Sequence, residues 1–254
     1  NGWQVDYCAP GDENITDCNK HYVVPIPRSP FSRGIFSCIK QLRKILEKEQ
    51  YDIIHCHTPM GGVIARLAAK KLYRQKKVKI IYTAHGFHFY KGAPLLNWLL
   101  YYPVEKYLLK LTDVLITINK EDYERSIEKF SKRCKVLFMN GVGVNLSRFS
   151  KVTKKDNSSI RKELGYSDDD FIITVVAETN KNKNQSFLIR QVPVLMEKIP
   201  HLKVLFLGKE TLPDAHNLVN EMGLQDVCQF LGYRKDVELF TKISNICFSA
   251  SIRE

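Results

Sequence analysis

Lysine and amide side chains crowd one short stretch, Ala177-Glu178-Thr179-Asn180-Lys181-Asn182-Lys183-Asn184-Gln185, between a β-branched run and a helical pattern. Backbone N–H groups at a helix start, with a lysine beside them, can hold a pyrophosphate, because the helix dipole favours negative charge there. A solvated polar surface loop fits the same residues equally well. Four histidines fall in two other stretches, His55-Cys56-His57 and His85-Gly86-Phe87-His88. Three chemistries are open to them. One is a zinc site, which the His/Cys spacing permits, although adjacent strand residues face opposite ways and no carboxylate partner is expected close by. The second is His85 as a polar contact to a bound sugar. The third is buried, satisfied imidazoles, with His55 the first candidate. A further stretch, Asn140-Gly141-Val142-Gly143-Val144-Asn145, carries two glycines that permit unusual φ and close approach of a ligand, or simply a turn.

The elements that must position these groups follow from periodicity. Short β-branched runs at Val5–Cys8, Asp52–His57, Val78–Thr83, Val114–Thr117 and Lys135–Phe138 alternate with helical patterns near 31–49, 61–75, 94–110 and 120–130. Such alternation predicts a parallel sheet with helices on both faces. A polar stretch over 151–160 then reads as a linker. Beyond it a second series begins: strands at Phe171–Val176, Val204–Leu207, Val227–Phe230 and Ile246–Phe248, with helices near 184–198, 213–222 and 235–243. The fold class is therefore α/β, with two Rossmann-like domains at 1–150 and 161–254. Ligands of such sheets sit at the carboxyl ends of the strands, where both histidine groups and the lysine-rich loop fall.

Composition narrows the partners. No apolar run reaches the roughly 18 residues that would span a bilayer. Seven cysteines are scattered singly, without a CxxC pair, which fits reduced thiols better than a disulfide framework. The net charge of +12 is uneven. Residues 1–150 hold 24 Lys/Arg against 13 Asp/Glu, a balance of +11, whereas 151–254 hold 15 against 14, a balance of +1. The first half thus faces something anionic: nucleic acid, an anionic membrane leaflet or a phosphorylated substrate. Arg66, Lys70, Lys71 and Arg74 lie on one helical segment, expected to face a membrane. The apolar, aromatic segment 94–103 reads as a buried helix, with a membrane-facing helix as the other reading. A nucleic-acid-binding protein is the alternative from another class. Its usual signatures are missing, and the aromatic residues are packed in apolar runs instead of being interleaved with cations.

Taken in series, these stretches resemble a family. Tyr51-Asp52-Ile53-Ile54-His55-Cys56-His57-Thr58-Pro59, Tyr82-Thr83-Ala84-His85-Gly86-Phe87-His88, Thr112-Asp113-Val114-Leu115-Ile116-Thr117-Ile118-Asn119 and Asn140-Gly141-Val142-Gly143-Val144 look like the acceptor domain of retaining GT-B glycosyltransferases. Asn182-Lys183-Asn184-Gln185, Phe230-Leu231-Gly232-Tyr233-Arg234-Lys235-Asp236-Val237 and Ser249-Ala250-Ser251-Ile252-Arg253-Glu254 look like the donor domain. The run His85-Gly86-Phe87-His88-Phe89-Tyr90-Lys91-Gly92 is most similar to bacterial capsule and exopolysaccharide transferases.

The resemblance implies two GT-B Rossmann-like domains, both incomplete. A first strand and Gly-rich loop are expected before residue 1, and a second clamp carboxylate beyond residue 254. It further implies a nucleotide-sugar donor (a UDP-sugar by family habit) and a lipid-linked glycan acceptor. Neither metal nor nucleic acid is expected, and the implied location is the cytoplasmic face of the cell membrane. Lys183 would neutralise the leaving diphosphate, with Asn184, Asn140 and Gly141 beside the donor. His85 would contact the donor sugar, and Glu254 would hold its hydroxyls. Where the family places a second phosphate-binding Arg, this chain has Glu178. A catalytically inactive scaffold subunit of a polysaccharide assembly complex is the alternative that this departure suggests.

Overall fold

The computed structural model describes residues 2–11, 18–27, 29–153 and 156–252. Contacts divide the chain into two units, Asn1–Val142 and Gly143–Glu254.

In the first unit the elements are β1 (Asp6–Ala9), β2 (Lys20–Val23), α1 (Gly34–Glu49), β3 (Ile53–His57), α2 (Pro59–Arg74), β4 (Lys79–Ala84), α3 (Leu95–Leu108), β5 (Val114–Thr117), α4 (Lys120–Phe130) and β6 (Lys135–Phe138). Strands β3-β4-β5-β6 form a parallel sheet in that order, and β1 and β2 pair in parallel as a separate ribbon. β2, Lys20-His21-Tyr22-Val23, escapes sequence reading because its first two residues are polar and no β-branched run marks it. Ile80, Tyr82 and Ala84 alternate along β4 and are all buried, as the side chains of an interior strand should be. Against them α2 lays Ile64, Ala65, Ala68 and Ala69 at helical spacing, and α1 adds Cys38, Leu42 and Leu46.

That spacing corrects one expectation. Gly62, Ala65, Arg66 and Ala69 share the inward face of α2, so Arg66 does not face a membrane. It is 0% exposed. Its guanidinium lies 4.1 Å over the Tyr82 ring, with Nη1 2.7 Å from Glu105 Oε1 and Nε donating to the Gly62 carbonyl at 2.8 Å. Lys71 and Arg74 do point outward, and Lys70 is half-buried. The helix of residues 94–103 is also only partly as expected. Trp98, Tyr101 and Tyr102 pack on the core, whereas Leu95, Leu96, Leu99, Leu100 and Val104 are exposed.

The second unit comprises α5 (Leu146–Thr153), α6 (Asn157–Glu163), β7 (Phe171–Val176), α7 (Gln185–Met196), β8 (Leu202–Leu207), α8 (Asp214–Glu221), β9 (Cys228–Gly232), α9 (Val237–Ile243) and β10 (Ile246–Cys247). Its parallel sheet runs β10-β7-β8-β9. Ile173, Val175, Val204 and Phe206 face α7 and α8, while Ile172, Leu205 and Leu207 meet α6 and α9 on the opposite side. The period of two therefore feeds two cores.

The expected linker at 151–160 is largely helical. Asn145 Oδ1 accepts the Ser147 N–H at the start of α5, and Asp156 Oδ2 accepts the Ser159 N–H at the start of α6. Asp156, one of the polar residues that read as linker, is thus a helix cap. The expected boundary at 150 lies inside α5, whose Arg148 binds the Lys235 carbonyl at 2.6 Å and Glu238 at 2.5 Å. Buried Arg161 donates to the carbonyls of Ser167, Asp168, Asp170 and Ile243 and to Asn245 Oδ1, all at 2.8–3.0 Å. Among the described residues, no helix is long and apolar enough to cross a membrane.

Candidate functional site

At the carboxyl edge of the first sheet, β3 ends on His57 and β4 runs out into His85. His57 Nδ1 and His85 Nε2 lie 3.2 Å apart, and the ring centroids of His55 and His57 are 4.2 Å apart with the planes tilted by 37°. His55 Nε2 bonds Thr83 Oγ1 at 2.8 Å. His55 is thus satisfied, as its third reading had it, but it is exposed, not buried. Partial desolvation, and then His85, hold its pKa below the usual histidine value. Desolvation, followed by His55 and His85, does the same to His57. The rings therefore favour the neutral state, in which one nitrogen accepts and the other donates. Among the described residues, no three His, Cys, Asp or Glu side chains are arranged to hold a metal ion.

Two supports of this edge escaped sequence reading. The first is the pair of carboxylates at the start of α4, a helix that the periodicity does predict. Asn119 caps it by accepting the Asp122 N–H at 2.8 Å, and Asp122, which is fully buried, reaches back to the Phe87 N–H at 2.9 Å. Glu121 accepts the Lys91 N–H, also at 2.9 Å. The loop carrying His85 is therefore clipped by carboxylates of the next helix, both held by Arg125. An Asn cap followed by acidic residues was the available signal. The second support is Thr58, directly after His57, with φ of +62°. A left-handed β-branched residue stores about 1–3 kcal/mol of strain. No pattern in the sequence announces it.

At the end of β6, Asn140 is exposed and Gly141 has φ of +71°, its N–H bonding the Met139 carbonyl at 2.8 Å. Gly143 has no left-handed φ, so only one glycine of the pair is used for its conformation.

In the second unit, β7 opens into the lysine-rich loop. Asn180 organises it: its Oδ1 accepts the Lys183 N–H at 3.0 Å, and its carbonyl accepts the Asn184 N–H at 3.1 Å. Asn184 is left-handed (φ +53°) and opens α7. Gln185 Nε2 binds the Glu178 carbonyl, the Thr211 hydroxyl binds the Thr179 carbonyl, and the Ile252 N–H binds the Asn182 carbonyl, at 2.9, 2.6 and 2.8 Å. Three neighbouring segments thus hold the loop. Gly208, at the end of β8, makes this possible: a Cβ there would sit 2.0 Å from the Ala177 carbonyl oxygen. Lys183 is half-buried and Glu178 is exposed. A cleft of about 150 Å3 beside the loop is lined by Asn180, Lys181, Asn184 and Asp214 but not by Lys183. The charges of Lys181 and Asp214 offset each other there, so a diphosphate role rests on the loop that carries Lys183.

His55, His57 and His85 come together in the first unit, with Asn140 and Gly141 on the same sheet edge, and Lys183 and Asn184 come together in the second. Glu254 lies outside the described residues.

Two α/β units with polar groups at their strand ends define a class of nucleotide-binding folds, and the solved structures agree. The fold matches Anabaena Alr3699/HepE, solved with UDP and glucose, at a TM-score of 0.68 and 17% identity, covering 91% of this chain and 61% of that one. In sequence, residues 1–119 match the family described as Glycosyl transferase 4-like, and residues 156–254 match Glycosyl transferases group 1. The glycosyltransferase-family protein EpsD of Bacillus subtilis (strain 168) is 41% identical over all 254 residues. An Escherichia coli UDP-Gal:alpha-D-GlcNAc-diphosphoundecaprenol alpha-1,3-galactosyltransferase is 28% identical over 218 residues, 84% of this chain. The chain spans 66% and 55% of the lengths of these two relatives. It belongs to the glycosyltransferases of the GT-B fold.

Proposed function

We propose that the whole protein transfers a sugar, with retention of configuration, from a nucleotide diphosphate donor to a lipid-linked glycan acceptor in capsule or exopolysaccharide synthesis. The observation that carries this reading is the loop after β7, held from three sides with Lys183 half-buried beside the start of α7. Charge develops on the diphosphate as the glycosidic bond breaks, and a fixed cation with helix-start amides offsets it without reorganising. UDP is the proposed carrier, since the Escherichia coli relative is named for UDP-Gal and the Anabaena protein was solved with UDP. The lipid-linked acceptor has the same support, from the diphosphoundecaprenol in that relative's name.

His85 supplies a polar contact to the donor sugar, with His57 fixing its ring through the 3.2 Å contact. Asn184, Asn140 and Gly141 are the further donor-binding residues of this reading, and Glu254 holds sugar hydroxyls. The transfer needs no metal ion, and the enzyme works at the cytoplasmic membrane face.

The test is a calorimetric titration with UDP and GDP. Lys183→Ala should weaken UDP binding by about 1.5–3 kcal/mol, the scale of a charge-assisted contact. Unchanged affinity would overturn the phosphate role.

A scaffold without activity is the second reading, favoured by the exposed Glu178 where the family has a cation. It predicts that the full-length protein turns over no donor.

A further inference from the structure

The first unit carries a surface that the proposed chemistry leaves unused. On α3, Leu96, Leu99, Leu100, Val104 and Tyr107 recur at helical spacing, and all are exposed, Leu96 at 62% and Leu99 at 65%. The opposite face of the same helix is already buried: Trp98 and Tyr102 pack on Phe89, and Glu105 pairs with Arg66. An apolar stripe of this length on one helix marks a docking face and not scattered surface leucines.

The stripe ends in cations. Tyr107 accepts a hydrogen bond from Lys70 at 2.9 Å, and that bond, followed by the fields of Lys70, Arg74 and Lys110, lowers its pKa. Beside it opens a cleft of about 540 Å3, lined by Arg74, Lys76, Lys79 and Lys110 against the single carboxylate of Asp113. Lys76 holds a left-handed backbone (φ +57°) just past α2, where glycine is the usual residue. A lysine kept in that conformation adds its charge to the cleft at a local conformational cost. The cleft lies at the amino ends of β4 and β5, the opposite sheet edge from His57 and His85. α3 therefore runs from the imidazole edge to the cationic edge.

We infer that this face docks on an anionic lipid leaflet, with the leucine stripe at the acyl boundary and lipid phosphates in the cleft. Charge complementarity selects this occupant. A second copy placed face to face would bring two cationic clefts together, and nucleic acid would leave the leucines without stacking partners. The arrangement suits an interfacial helix, whose binding combines buried apolar area with attraction to anionic headgroups. It rests on the proposed function only for its purpose, which is to bring a lipid-linked acceptor to the edge that carries His85.

Vesicle co-sedimentation of the 254-residue chain tests it. Vesicles containing phosphatidylglycerol should bind the chain, and pure phosphatidylcholine should not. Leu96→Glu/Leu99→Glu should cut binding more than tenfold. Arg74→Glu/Lys110→Glu should do likewise, at about fivefold per cation removed. All four residues are exposed, so circular dichroism should show both variants folded. Equal binding to both vesicle types, no binding to either, or indifference to both variants would overturn the inference. So would a dimer, seen without vesicles, that Leu99→Glu converts to monomer. No nucleotide is present, so this test and the Lys183 titration fail independently.

Discussion

The two sheet edges present polar groups in opposite ways. In the first unit the groups are side chains: His57 and His85 stand exposed, and the loop beneath them is clipped by Asp122 and Glu121 from the next helix. In the second they are largely backbone: the loop after β7 turns on Asn180, crosses Gly208 at close range and is tied by Gln185, Thr211 and Ile252. Side chains can be exchanged one at a time, so under the proposed function the first edge would be the one that varies which sugar or acceptor is read. A backbone cradle accepts few substitutions and suits a constant group such as a diphosphate.

The sharpest way to break that contrast is Gly208→Ala. The added methyl meets backbone, not a flexible side chain, so the ends of β7 and β8 must separate. The expected cost is about 3 kcal/mol or more in stability, with loss of UDP binding. A variant that melts like the parent and still binds UDP would remove the cradle from the argument.

Asp122→Ala should have a somewhat smaller effect on the other edge. It releases the Phe87 amide, Asn119 and Arg125 together, at about 2 kcal/mol by chemical denaturation. UDP affinity should stay the same while affinity for a UDP-sugar falls. Equal losses for both ligands would mean that the two edges are not separable.

The smallest effect is on pH dependence. His55 and His57 titrate below the ordinary 6.5 in the folded chain, so the unfolded chain takes up protons first as pH falls. Stability from this source is complete above about 6.5 and is lost as pH drops toward the folded values. Because both rings are exposed the slope should be shallow, and His57→Asn should flatten it further in pH-dependent thermal melts. An unaltered slope would show that the imidazoles are solvated independently.

Much of this was legible in the chain. The strands Val114–Thr117 and Phe171–Val176 and the alternation of strand and helix follow from sequence pattern, because interior parallel strands must be apolar throughout. The clustering of His55, His57 and His85 follows from their places at strand ends. What periodicity hides is the meaning of a charge. Arg66 has the residue type of a solvated cation, yet it occupies an inward helix position, and only the distant Glu105 and Tyr82 make that burial tolerable. The polar run after Phe149 misleads in the reverse direction, since caps and linkers share a vocabulary of Asn, Asp and Ser. On α3, composition could establish that the helix is apolar all round but not which side is covered.

Arg161 binds the carbonyls that precede β7 and those that precede β10, two segments more than 70 positions apart in the chain. In hydrogen-exchange terms the amides of these two outlying segments should not open separately. The second unit should then exchange its sheet amides as one cooperative block, and Arg161→Lys should split that block in two.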